Sequence, residues 1–449
     1  MKIGNRIKHT NLSKSIALFS IILIVLCFSA CTKEEDTANT KLLYEACMAS
    51  DYEKIQELVK KDDVSLDNCS MAEENDGDKR ILEAVINATS IIDEKTCSLL
   101  IEAGAELDGK DEYGETYLQE LIDLNSLGNG QSIDLLNMML KAGADINIRG
   151  DNEYNVTAFE YLMDVSPLAC KDFEKMCKIF TENMDEISQK TLSQALQKEA
   201  RLEAAPIILE ALDKSGQSID VISPLLAAVV KSEDDETIMS LIKNKSYDEK
   251  EMQNIVVFAA ANCSVKVMEA LDTTAFDIYC HIGENEMSAL DVAAAYNDEK
   301  MISYLLDKGL DLKESDSNYD DEVDNEWVEG YMQSSEILSY TPISMALVRG
   351  RADNVEFLLK KNTDFQENSW CIACIYGNKV SIDILLDNNF RQQKEYIYRA
   401  YLSSDKDTVK YMLDKGISYD VSEYGEPLMD TINENNYLKP LGELIKMVS

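Results

Sequence analysis

The stretch Ser288 to Leu312, SALDVAAAYNDEKMISYLLDKGLDL, holds two helical patterns, a seam of small residues and a glycine stop in one short run. Leu290, Ala293 and Ala294 fall at helical spacing, and after a break Met301, Ile302, Leu305 and Leu306 do so again, each set marking one apolar face. Gly309 then ends the second helix, at the C′ position where the backbone turns to positive φ. Two helices of about eight to ten residues do not hold themselves together, because nucleation is costly and packing against neighbours supplies most helical stability. The chain therefore has to repeat the unit and stack the copies, and it does. With Ala293 as the reference small residue of the first helix, the equivalents are Ala46, Ala84, Leu121, Leu162, Ala195, Ala228, Ala259, Ala346, Ala373, Ala400 and Thr431. Their separations cluster near about thirty-three residues, with one long gap from Ala293 to Ala346; a period of this size is the signature of a solenoid. The pattern predicts an all-α solenoid of about twelve helix pairs, several degenerate.

The repeats resemble ankyrin repeats. The fragments that carry the resemblance are Thr341 to Asn362 (TPISMALVRGRADNVEFLLKKN), Ile101 to Asp108 (IEAGAELD), Leu140 to Asn147 (LKAGADIN) and Tyr411 to Ser418 (YMLDKGIS). It covers Lys41 to Ser449 and is weakest from Val156 to Leu212. Thr341 is placed to cap a first helix whose N1 residue is Pro342, where the missing N–H costs nothing; Ser223-Pro224 repeats the arrangement and Glu426-Pro427 keeps the proline. Small alanines let adjacent first helices approach, and pairs such as Leu358-Leu359 and Leu385-Leu386 fill the space between units. The histidine of the family's Thr-Pro-Leu-His motif is missing throughout, replaced by Asp291, Ser344 and Gln119 among others, so the usual polar network at the repeat start is not expected. Leu438 to Val448 places Leu441, Leu444, Ile445 and Val448 on one face, as a helix closing the last unit would. What the resemblance implies is a non-catalytic scaffold that binds another protein through a concave face of hairpin tips and first helices.

Between the repeats of 41–312 and those of 340–449 lies an acidic insertion, 313–339, containing Trp327 and Tyr331. Asp316, Asn318, Asp320, Glu322 and Asp324 follow the alternating ligand spacing of an EF-hand loop. Position six of such a loop would be Asp321 in place of glycine, and position twelve Trp327 in place of the bidentate glutamate. The insertion is therefore read first as a solvated loop in which Trp327 and Tyr331 are candidate partner contacts, with the five oxygen-bearing residues as candidate calcium ligands in a cation-sensing alternative.

The N-terminus belongs to a different class of signal. Lys2, Arg6, Lys8 and Lys14 precede a largely apolar run, Ile16 to Ser29, which is shorter than the roughly twenty residues a spanning helix needs and has the layout of a signal peptide over 1–30. Phe28-Ser29-Ala30-Cys31 resembles the lipobox of bacterial lipoproteins, with Phe28 where leucine is usual. The resemblance implies lipidation of Cys31, a polar tether over 31–40, and residence in the bacterial cell envelope, facing outside the cytoplasm. More than one acyl chain gives lasting attachment, since each buried methylene contributes ~0.8 kcal/mol. Cleavage near Ala30 without lipidation would instead leave a soluble protein, and a passive envelope component with no specific partner is a further alternative.

Removing the four basic residues of the leader leaves 39 Lys and Arg against 83 Asp and Glu, a net charge of −44. That charge disfavours nucleic acid and anionic lipid, whose phosphates bind cations, and favours a protein partner with a basic patch. Of the 11 cysteines, Cys27 lies in the leader and Cys31 is the lipid site. The rest, including Cys47, Cys97, Cys177 and Cys374, sit in apolar helical patterns and read as small core residues. Cys371 and Cys374 form a Cys-x-x-Cys with no second ligand pair nearby. His281 is the one histidine beyond the leader, no phosphate-binding or metalloprotease motif occurs, and neither an enzyme nor a resident cofactor is expected.

Overall fold

The computed structural model describes residues 37–67, 69, 80–87, 92–111, 113–126, 132–151, 155–164, 172–197, 201–242, 247–282, 287–312, 341–361, 363, 365, 369–376, 378–389, 397, 400–401, 406–417, 427–434 and 439–448. Among these, the chain is all-α apart from one short hairpin, and its helices fall into consecutive pairs. Units 1 to 3 are α1 (Ala38–Met48) with α2 (Tyr52–Leu58), α3 (Ile81–Asn87) with α4 (Glu94–Glu102), and α5 (Tyr117–Ser126) with α6 (Ser132–Ala142). Units 4 to 6 are α7 (Ala158–Leu162) with α8 (Phe173–Asn183), α9 (Gln189–Ala195) with α10 (Arg201–Ser215), and α11 (Pro224–Val230) with α12 (Asp235–Ile242). Unit 7 is α13 (Glu249–Asn262) with α14 (Val265–Asp272); strands β1 (His281–Ile282) and β2 (Met287–Ser288) then introduce unit 8, α15 (Ala289–Tyr296) with α16 (Glu299–Asp307). Units 9 and 10 are α17 (Pro342–Val348) with α18 (Ala352–Leu359), and α19 (Ser369–Ile375) with α20 (Lys379–Asp387). Unit 11 contributes helical Ile397, Ala400 and Tyr401 and then α21 (Lys406–Asp414), and unit 12 is α22 (Leu428–Glu434) with α23 (Lys439–Val448).

The substantial helix–helix contacts join members of one pair or of adjacent pairs, which makes the fold a solenoid in which each unit borrows its core from its neighbours. First helices pack on first helices and second on second. The reference residues are the reason the first helices come so close: Ala195, Ala259, Ala293, Ala346, Ala373 and Ala400 are completely buried, as are Leu121 and Leu162 in the units that carry leucine there. The stack does not break at the insertion. Helix α17 lies directly against α15, and Asn354 Nδ2 donates to Ala294 O and Asn297 O at 2.8 and 2.9 Å.

Each second helix in the better-formed units ends in the same way. At Gly104, Gly143, Gly309 and Gly416 φ is +94°, +104°, +98° and +76°. The two N–H groups that follow reach back into the last turn, as in Gly309 N to Leu306 O at 2.9 Å and Leu310 N to Leu305 O at 3.1 Å. This is the Schellman arrangement, which satisfies two of the carbonyls a helix leaves without internal partners. At the other turn, side chains of the next unit cap the exposed carbonyls of the first helix: Asn262 on Val229 O at 3.2 Å, Asn297 on Ala260 O and Cys263 O at 2.9 Å each, and Ser381 on Leu347 O at 2.7 Å.

The start of the first helix corrects the sequence expectation. The histidine network is replaced, not lost. Asp291 accepts from Ser288 N at 2.8 Å and Ser288 Oγ at 2.6 Å, closing a capping box of the kind that satisfies two orphan groups reciprocally. Gln119 accepts from Thr116 N at 2.8 Å and donates to Val156 O of the next unit at 3.2 Å. Thr341 and Ser344 pair their hydroxyls at 3.0 Å.

The solenoid also curls back on itself. Glu203, in the first turn of α10, pairs with Arg349 at the end of α17 and accepts a hydrogen bond from Tyr296 at the end of α15. Arg349 Nη2 in turn donates to Tyr296 Oη at 2.5 Å, with the guanidinium over the tyrosine ring at 4.9 Å. Unit 5 thus meets units 8 and 9. Every residue from Ala289 to Ala295 and from Pro342 to Val348 is buried, so α15 and α17 keep no open side, in the manner of a helix buried all round.

Candidate functional site

The loops that enter the first helices project as fingers. Lys110 bridges Thr116 ahead of α5, Arg149 bridges Thr157 ahead of α7, and β1 pairs with β2 ahead of α15 through His281 with Ser288 and Ile282 with Met287. In the unit 3 finger, Asp111 Oδ1 accepts from Tyr113 N at 2.9 Å and Glu115 N at 2.8 Å. That tight turn pushes the Tyr113 ring into water, where it is 73% exposed. Ahead of β1, Asp277 Oδ1 likewise accepts from Tyr279 N at 2.9 Å; Tyr279, at the base of the unit 8 hairpin, is 50% exposed, and its hydroxyl donates to Lys308 O at 2.9 Å. Val221 stands exposed in the loop before α11. Fingers 3 and 4 are tied together by Asp151 N to Gly114 O at 2.6 Å and by Lys110 with Asp151 at 2.7 Å. These exposed apolar groups stand on rigid turns, unlike the leucines and alanines of the interior.

The first helices of units 1 to 3 carry an acid immediately before the reference residue: Glu45, Glu83 and Glu120. Glu45 is exposed; the other two are buried. Glu83 accepts from Tyr117 Oη at 3.4 Å. Glu120 is hydrogen-bonded with Asn87 through its carboxyl, yet its Oε2 is buried with no partner. One turn on, Asp123 accepts from Tyr161 Oη of unit 4 at 2.8 and 3.0 Å and lies within hydrogen-bonding reach of the Glu115 carboxyl. Burial is the main reason that Glu120 is pushed up to about 8 and Asp123 to about 7; nearby Asp111 and Glu115 raise both further, and Glu83 adds to the first. Removing a carboxylate from water disfavours its charged form, and like charges do so further. The nearby Arg80 is engaged by Glu106 at 2.6 Å and by the Tyr117 hydroxyl.

Two grooves lie further along the stack. One, of about 420 Å³, lies among the first helices and loops of units 5 to 7 and includes Gln197, Val221, Asp248 and Glu251; the other, of about 410 Å³, lies between α8 and α10 beside Lys178, Glu210 and Lys214. Neither is lined by a histidine or cysteine, and among the described residues no group of His, Cys, Asp and Glu is arranged to hold a metal ion.

The candidates Cys31, Trp327 and Tyr331, and the candidate calcium ligands Asp316, Asn318, Asp320, Glu322 and Asp324, lie outside the described residues. Cys374 is buried in α19, as its place in the repeat predicts, and Cys47, Cys97 and Cys263 are buried thiols whose pKa burial raises. His281 is exposed at the start of β1. Among the described residues no helix is long and apolar enough to cross a membrane. The carboxylates at Glu120 and Asp123 escaped the sequence reading, although the recurrence of Glu45, Glu83 and Glu120 at one repeat position signals a shared face.

Comparison with protein-family models and with curated proteins finds no match. Among solved structures the chain is similar to the ankyrin repeat domain of human ASB11, at 16% identity over 60% of this chain and 98% of that one, with a TM-score of 0.28. It is also similar to a structure of the Bdellovibrio bacteriovorus predatory endopeptidase Bd0816 in complex with immunity protein Bd3460, at 16% identity over 72% of this chain and 98% of that one, with a TM-score of 0.21. The helix pairs, their capping glycines and the stacked alanine seam define the solenoid by themselves.

Proposed function

We propose that the chain is a lipid-anchored scaffold of the bacterial cell envelope, facing outside the cytoplasm, that binds another protein through its finger tips and the first helices of its N-terminal units. The observation that carries this reading is that the loops entering the first helices leave Tyr113, Tyr279 and Val221 exposed, with the backbone at both tyrosines fixed by hydrogen bonds, while the helices behind them are buried. Rigid aromatic groups supply contact area while losing little conformational freedom. The mature charge of −44 favours a partner with a basic patch, whose association is steered electrostatically and weakened by salt. The basic leader and the Cys31 motif support the anchor.

The test is cross-linking and fractionation of cell envelopes carrying the protein with and without Cys31→Ala. The anchored protein is expected in the membrane fraction and the variant in the soluble one. Equal membrane association of the two would remove the lipid anchor, and partner binding that does not respond to moderate salt would remove the basic partner.

A further inference from the structure

Asp111, Glu115 and Asp123 are half-exposed around the buried Glu120, so the acidic group in unit 3 has an open rim and a dry floor. The floor atom, Glu120 Oε2, has no partner. A buried oxygen left without a hydrogen bond costs free energy that a donor recovers. Arg80, the cation on the adjoining unit, is committed to Glu106 and Tyr117. No group of His, Cys, Asp and Glu among the described residues is arranged to hold a metal ion, whereas a side chain with several spread donors reaches carboxylates set further apart. The donor suited to several carboxylates at once is a guanidinium, with five N–H groups in a fixed fork. Lysine offers a compact, strongly hydrated charge and matches less well.

We propose that this nest is the docking point for an arginine side chain of the partner protein, its guanidinium spanning the Asp123–Glu115 pair at the rim and Glu120 Oε2 at the floor, beside the exposed ring of Tyr113. The proposal rests on the protein-binding reading above and gives it a place and a chemistry. The charge-assisted hydrogen bonds so formed are stronger than neutral ones, and the same carboxylates repel an acidic segment, which gives the face selectivity as well as attraction.

The probe is a blocked tripeptide, glycine-arginine-benzoylphenylalanine, photo-cross-linked to the full mature chain and mapped by mass spectrometry. Adducts are expected between residues 111 and 123, at least tenfold fewer with the citrulline counterpart, and at least tenfold fewer with Glu120→Gln or Asp123→Asn. Glu249→Gln, which removes an exposed acid elsewhere, is expected to change the yield less than twofold. Circular dichroism checks that the variants remain folded. Adducts scattered over other acidic surfaces, or yields indifferent to Glu120→Gln and to citrulline, overturn the nest. A second arm separates this outcome from failure of the binding face itself. With benzoylphenylalanine in place of Tyr279, a discrete envelope adduct formed equally by wild type and Glu120→Gln leaves the face standing and removes the arginine site, whereas no adduct in either removes both.

Discussion

Glu120 is hydrogen-bonded with Asn87 and keeps Oε2 without a partner, and burial, together with the charges of Asp111, Glu83 and Glu115, lifts its pKa from 4.5 to about 8. The folded chain therefore holds this proton more tightly than the unfolded chain does. The stability gained is complete below about pH 4.5 and is lost as the pH climbs toward 8, at roughly 1.4 kcal/mol for each pH unit between those limits. Asp123, lifted to about 7, acts in the same direction. The melting temperature is expected to fall between pH 5.5 and 8.5, and Glu120→Gln to raise it at pH 8.5 by the equivalent of a few kcal/mol while leaving it nearly unchanged at pH 4. A variant curve parallel to that of the wild type would show that Glu120 is ionised throughout. The recurrence of Glu45, Glu83 and Glu120 was legible in the sequence. Their different fates were not, because which of the three loses water depends on Asn87, Tyr117 and the finger of unit 3, and the helical pattern does not encode those contacts.

At the scale of single elements the sequence was most informative, since the signals that start and stop each helix act within four residues of where they sit. Gly309 adopts positive φ where the pattern places a C′ residue, and Thr341 accepts from Ser344 N ahead of Pro342. The missing histidine misled because its replacements do the capping by other chemistry: an aspartate, a serine and a glutamine each find the N-cap residue three positions back. The links between units came from residues with no evident pattern. Asn297 is one such residue, at the end of α15, holding two carbonyls of unit 7. Asn297→Ala leaves both without that donor and is expected to cost about 1–3 kcal/mol, read as a lower urea midpoint with an unchanged slope. No change in the midpoint would mean that water replaces the amide at both carbonyls.

For the molecule as a whole, the period near thirty-three residues sufficed to predict a nearest-neighbour stack, including its passage across the long gap. Because α17 packs directly on α15, replacing residues 314–338 by a short Gly-Ser linker is expected to leave the melting temperature within a few degrees, loop length having only a logarithmic cost. A collapse of stability would show that the acidic segment is part of the core. The contact between units 5, 8 and 9 had no counterpart in the sequence, since Glu203, Tyr296 and Arg349 belong to separate repeats and none stands in a repeated motif. Arg349→Met strands the Glu203 carboxylate, which is nearly buried with a side-chain exposure of 6%, and is expected to destabilise by about 3 kcal/mol. The double change with Glu203→Met is expected to recover most of it, as replacing a buried ion pair by apolar groups often does. Equal damage in the single and double variants would assign the effect to packing.

That same cross-tie changes how the chain should respond to force. An open repeat array pulled from its ends peels unit by unit, like a zip. Here the outer repeats can peel, but the span between the two fastened turns is held in parallel with its own covalent path, so extension should stall there and then give way in a single larger step.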